Sequence, residues 1–160
     1  MGLRPASALL SIAFALAAAQ IPDLSGTWQL NVARSSWGQH PKLASATVTI
    51  EHHEPAFKYS GTVTFPNGVN SEDRGDTGSF AFHGAIDGKE YPVTGTLGPG
   101  QMAVHRISTN TIVSEFRSND GKVTETARMT ISADGKTLVR QMKAKGPTGN
   151  DSWTELYDRH

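Results

Sequence analysis

The side chains able to carry chemistry in this chain are six histidines, fifteen carboxylates and a scatter of serines, with no cysteine among its 160 residues. Without cysteine there is no disulfide, no thiolate nucleophile and no thiolate metal site. His52 and His53 are adjacent. Neighbours on a strand point to opposite faces, so this pair does not readily hold one ion, and a zinc site needs three or four converging ligands. His40, His83, His105 and His160 stand apart from them. No metal and no cofactor is expected. Glu72, Asp73 and Asp76 lack the spacing of a calcium loop. Arg74-Gly75-Asp76 matches a cell-adhesion tripeptide, but it sits in a polar loop and three residues match often by chance. Asn150-Asp151-Ser152 forms a glycosylation sequon that reads equally well as a turn. Nucleophile elbow, phosphate loop and dinucleotide fingerprint are all missing. A Ser/His/Asp triad is defined by geometry, not composition, so no catalytic residue is assigned.

Binding chemistry has more to work with. Phe57, Tyr59, Phe65, Phe80, Phe82, Tyr91, Phe116, Trp153 and Tyr157 mostly share parity with other apolar residues. In a small β-barrel such a face either packs solid or lines a cavity. A ligand pocket is mostly apolar with a few placed polar groups. Arg106, Arg128 and Arg140 fall in the middle of apolar-alternating segments, and any one that points inward supplies such a group. An inward arginine favours a carboxylate or similar anionic head; an outward one is ordinary surface. The candidate lining set is therefore Phe57, Tyr59, Phe80, Phe82, Tyr91, Phe116, Arg106, Arg128 and Arg140.

The elements that must position these groups are strands. Ala46, Val48 and Ile50 alternate with Thr47, Thr49 and Glu51. Val123, Ala127, Met129 and Ile131 share one parity, and Thr124, Thr126, Arg128 and Thr130 the other. Trp153, Glu155 and Tyr157 alternate with Thr154, Leu156 and Asp158. Period-two alternation marks a strand with one buried face, and the Thr, Val, Phe and Tyr content agrees. Turn sequences separate the runs: Pro66-Asn67-Gly68, Asp87-Gly88, Asn119-Asp120-Gly121 and Asp134-Gly135. The pattern predicts strands over 25–33, 45–53, 56–65, 77–84, 89–96, 101–107, 111–118, 122–132, 136–145 and 151–159. No stretch has room for a crossover helix, so an antiparallel up-and-down meander follows, and closing it removes its edges. The fold class expected is an all-β antiparallel barrel of eight to ten strands. Segment 34–44, with Trp37, is expected to be a long loop across one barrel end.

The chain opens with Arg4, an apolar run from Ala8 to Ala19, and small residues at Ala17 and Ala19. A basic start, a short apolar core and an A-x-A end make a signal peptide. Pro22 and Asp23 follow too soon for a span of about 20 apolar residues. Residues 1–19 are expected to be removed, leaving 20–160 as one domain in the bacterial periplasm or the medium. Loss of Arg4 leaves 14 Lys and Arg against 15 Asp and Glu, a net charge of −1. Nucleic-acid binding draws on concentrated positive charge, so a nucleic-acid partner is not expected.

Several segments in order carry a resemblance. They are Ser25-Gly26-Thr27-Trp28-Gln29-Leu30-Asn31, Asp87-Gly88-Lys89-Glu90-Tyr91-Pro92, Asp120-Gly121-Lys122, Ser132-Ala133-Asp134-Gly135-Lys136 and Leu156-Tyr157-Asp158-Arg159. Together they resemble a family of small exported bacterial proteins with a lipocalin-like, calycin-type barrel. The resemblance implies a fold and no reaction. Gly26-x-Trp28 is also similar to the first-strand signature of lipocalins, in which the tryptophan plugs one barrel end under an arginine of the last strand. That implies a plug of Gly26, Trp28 and Arg159, with Arg140 the reserve. Three functions are consistent with the sequence: a barrel holding a small apolar or amphipathic ligand, a solid-core envelope or interaction protein without one, and an enzyme using the barrel mouth. A histidine within hydrogen-bond reach of a carboxylate inside a cleft is the feature that favours the third.

Overall fold

The alternation becomes ten strands: β1 Gly26–Leu30, β2 Ser45–His53, β3 Ala56–Thr64, β4 Thr77–Ala85, β5 Glu90–Thr94, β6 Gly100–Ser108, β7 Thr111–Ser118, β8 Thr124–Ile131, β9 Thr137–Gly146 and β10 Gly149–Arg159. This computed structural model describes residues 20–66 and 77–160. The expected leader 1–19, the Asn67-Gly68 turn, Glu72, Asp73 and the Arg74-Gly75-Asp76 tripeptide lie outside the described residues. Each strand pairs antiparallel with the next, and β1 pairs with β10 to close the barrel. The expected meander is the one observed. The first strand stops at Leu30, three residues early. There Asn31 turns the chain, accepting from Arg34 N on its own carbonyl at 3.2 Å and donating from Nδ2 to Asp158 Oδ2 at 2.7 Å.

Two turns show how short sequence fixes the register. Ser118-Asn119-Asp120-Gly121-Lys122 and Ser132-Ala133-Asp134-Gly135-Lys136 use the same bonds. In each the serine hydroxyl donates to the aspartate Oδ1 at 2.6 Å, and the lysine N–H donates to that oxygen at 3.0 and 3.1 Å. Gly121 and Gly135 both sit at φ 69°, a conformation that L side chains rarely adopt. A side chain that mimics a backbone turn thus pins β7 to β8 at one barrel end and β8 to β9 at the other.

One end of the barrel is packed solid. Trp28, Ile50, Phe57, Val104, Ile131, Leu138 and Tyr157 are fully buried there. Trp28 faces inward from β1, and its Nε1 donates to the Leu24 carbonyl at 3.0 Å. Directly opposite on β10 lies Arg159. Its guanidinium carbon stands 4.5 Å from the Trp28 ring centroid, and its Nη2 donates to the Asp23 carbonyl at 2.7 Å. The cation thus covers the plug from outside while tying down the segment before β1. Gly26, at φ 134°, starts the strand. Arg159, not Arg140, makes this contact.

Trp28→Ala removes the largest side chain of this end and orphans the Leu24 carbonyl. It is expected to lower unfolding stability by roughly 3–5 kcal/mol, read as a shift of the urea midpoint at unchanged slope.

Candidate functional site

The inner face changes character along the barrel axis. Toward the end that carries the β5–β6 and β7–β8 turns, inward positions include Gly61, Gly78, Gly100, Ser114 and Ala127. Side chains lie against the wall here instead of filling the middle. A Cβ at Gly61 would stand 2.8 Å from the Phe80 ring. Only a glycine lets that ring lie flat across β3, and Gly100 receives Phe116 in the same way. What remains is a cavity of about 660 Å³ walled by Tyr59, Phe80, Phe82, Phe116, Met102 and Met142. That volume is in the range of small-molecule sites.

At the middle of the axis stands a polar cluster. Arg140 on β9 and Glu155 on β10 are opposite each other in register, and both are buried at 9% and 4% exposure. Arg140 Nη1 donates to Glu155 Oε2 at 2.7 Å. The same carboxylate accepts from Tyr157 Oη at 2.9 Å and, on Oε1, from Trp153 Nε1 at 2.8 Å. The Arg140 guanidinium also lies 5.5 Å from the Tyr59 ring centroid. Burial works against the Arg140 charge, but the oxygens of Tyr59, Glu155, Tyr157 and Glu125 outweigh it and hold the guanidinium protonated. Burial pushes the Tyr59 phenol far up, so it remains a neutral donor, and burial together with Glu155 does the same to Tyr157. Glu125, half-buried in the wall, is also raised, chiefly by burial and secondarily by the Glu155 charge, against the pull of Arg140. Two buried donors at this wall have no protein partner: the Tyr59 hydroxyl and Arg140 Nε.

Of the nine residues expected to line a cavity, Tyr59, Phe80, Phe82, Phe116 and Arg140 do so. The other four lie elsewhere. Phe57 is buried in the packed end, 6.1 Å from Tyr59 between ring centroids. Tyr91 packs edge-on against Phe82 at 6.1 Å and donates to Asp87 Oδ2 at 3.0 Å at the barrel rim. Arg106 is past the cavity, bonded through Nε to Glu54 Oε1 at 2.7 Å. Arg128 is exposed on the outer face, opposite in parity to Ala127 and Met129. Glu155 and Glu125 were missed. Glu155 was visible as a carboxylate sharing parity with Trp153 and Tyr157, and the short β9–β10 turn sets it against Arg140.

The loop 34–44 does lie at the cavity mouth, where His40 and Leu43 form part of the wall. Ser36 bridges to Thr154 on β10. The His40 ring stacks on Trp153 at 3.7 Å, and its Nδ1 lies 2.9 Å from Asp151 Oδ2. This is the histidine and carboxylate pairing that acid–base chemistry uses. Among the described residues no hydroxyl hydrogen-bonds the other ring nitrogen, and what the pair does is hold the loop to β10. His52 is buried at the packed end while His53 faces out. No three His, Asp or Glu side chains gather to hold a metal ion among the described residues. Among the same residues, no helix is long and apolar enough to cross a membrane.

No family model matches the chain, and no curated protein matches it in sequence. Solved structures do match in shape. A fatty acid binding protein of Schistosoma mansoni in complex with arachidonic acid superposes with a TM-score of 0.56 at 11% identity, over 88% of this chain and 98% of that one. Zebrafish ileal bile acid-binding protein complexed with cholic acid gives 0.55 at 14% identity, over 86% and 98%. The protein Rv2717c of M. tuberculosis gives 0.50 at 14% identity, over 86% and 92%. The chain therefore shares the closed antiparallel β-barrel with these proteins, and at such identities the likeness concerns the fold.

Arg140→Met strands the buried Glu155 carboxylate and is expected to cost about 3–5 kcal/mol of stability. Adding Glu155→Gln removes the stranded charge and is expected to recover more than half of that loss. Denaturant melts of the single and double variants check the pair.

Proposed function

We propose that this chain is an exported binding protein that holds one small, largely apolar molecule in the hollow half of its barrel. The observation that carries the reading is the cavity itself: about 660 Å³, walled by aromatic and thioether side chains, with a polar cluster at its inner end. A solid-core protein has no use for glycines that let rings lie back from the centre, since a filled core is denser and more stable. Barrels of the same architecture hold arachidonic acid and cholic acid, which supports a carrier over an interaction protein. The apolar stretch ending at Ala17-x-Ala19 supports export.

Nile red, an uncharged dye whose emission rises in apolar surroundings, tests the pocket. Its emission is expected to saturate at one equivalent per chain. Ser114→Leu places a larger side chain in the cavity wall and is expected to weaken that binding at least about tenfold, the scale of the ~1.4 kcal/mol lost on crowding a site, while thermal melting stays close to the native protein. Absence of saturable binding, or equal binding by Ser114→Leu, would favour the interaction protein. For export, intact-mass measurement on protein recovered from its own host is expected to place the N-terminus at Gln20; a chain still beginning at Met1 overturns it.

A further inference from the structure

We infer that the molecule held in this pocket carries an uncharged head that accepts hydrogen bonds, such as a ketone, ester or ether, and not a carboxylate. The inference rests on the pocket reading above and adds the class of ligand.

An arginine facing an apolar cavity ordinarily invites an anion. Here the charge is already answered. Arg140 spends Nη1 on Glu155 at 2.7 Å, and Glu155 in turn takes Trp153 Nε1 and Tyr157 Oη. Both members are buried, so the pair is short, directional and poorly screened. Glu125 adds a second carboxyl to the cavity wall. Asp120 and His40 line it as well, so the groups facing the hollow are one guanidinium, three carboxyls and an imidazole, and an incoming carboxylate meets a net charge no greater than zero. A carboxylate that bonds the remaining guanidinium N–H groups must share that single cation with Glu155, adding a second anion to a buried pair that is already neutral. A like charge brought beside Glu155 and Glu125 in a dry wall is disfavoured for the same reason.

An ammonium head fares no better. Arg140 acts on both carboxyls and repels it, and raising of Glu125 by burial favours its neutral form. What the wall has to offer are the Tyr59 hydroxyl and Arg140 Nε, both buried and both without a partner. A buried donor left unpaired is costly, and a ligand acceptor within reach removes that cost. A carbonyl oxygen accepts hydrogen bonds and carries no charge, and so answers such a donor without disturbing the ion pair.

Three probes of matched chain length decide the point by displacement of Nile red: methyl octyl ketone, decanoate and decylamine. The ketone is expected to bind at least about tenfold more tightly than either charged probe at neutral pH. Glu155→Gln frees the guanidinium and is expected to improve decanoate at least about tenfold, reversing or closing the gap. Should that variant fail to fold, Tyr59→Phe serves: it removes an unpartnered hydroxyl, so its stability is expected to hold while ketone affinity falls several-fold. Decanoate or decylamine binding as well as the ketone to the native protein overturns the inference, as does ketone affinity unchanged by Tyr59→Phe. If Nile red itself fails to bind, the pocket reading fails; if it binds and decanoate displaces it best, only the ligand class is wrong.

Discussion

The ion pair between Arg140 and Glu155 stands where the packed and hollow halves of the barrel meet, and the arrangement on both sides follows from it. Toward one end along β9 and β10 come Leu138 and Tyr157, buried against the Trp28 plug; toward the other come Met142 and Trp153, facing the cavity and its mouth. The pair exists only in this register. A slip of one residue would send one partner to the outer face and leave the other buried alone, a far larger penalty than any single turn contributes. The β9–β10 hairpin is therefore held by its electrostatics as well as its ladder. The hydrogen bonds from Trp153 and Tyr157 complete the carboxylate's shell, which makes a charge tolerable at that depth.

Much of this was legible in the residues. Strand positions follow from alternation, and the hairpins from Asp-Gly pairs whose carboxylates cap the next N–H. The Trp28 and Arg159 contact was implied by the resemblance of Gly26-x-Trp28 to the lipocalin first strand, and their facing places on β1 and β10 bring it about. Parity also separates Arg140 from Arg128. Arg140 shares parity with Leu138 and Met142 and points in, whereas Arg128 shares it with Thr126 and Thr130 and points out. Arg106 shares parity with Met102 and Val104 but sits next to a register shift at Arg106/Ser108, where the strand end carries it past the cavity to Glu54. Position along the axis, and not face, decided its role.

Depth along the axis is what a one-dimensional pattern does not carry. Phe57 and Phe80 both face inward, but one is sealed in the core and the other lines the hollow. The difference arises from what lies across from them. Phe80 rests on Gly61 of β3, and with small residues at Ser114 and Ala127 on facing strands nothing reaches the centre. The contacts of His40 with Trp153 and Asp151 span more than a hundred residues, beyond the reach of any local pattern. Inward glycines were the available signal, and in an alternating strand they mark where another side chain leans across the backbone.

The closed meander and the lining of the hollow are governed by largely different residues. Closure depends on the ladder, the β-branched outer faces and the plug, which lie away from the hollow, and on turns, of which those between β5 and β6 and between β7 and β8 rim it. The chemistry of the hollow depends on the few polar groups on the inner wall, of which the Arg140 and Glu155 pair also supports the β9–β10 register. Chains at 11–14% identity can therefore share one architecture. An arginine in such a barrel is informative about cargo only after its partners are counted. Arg140 keeps its positive charge in either case; Glu155 neutralises it, and in this chain that carboxylate is built in.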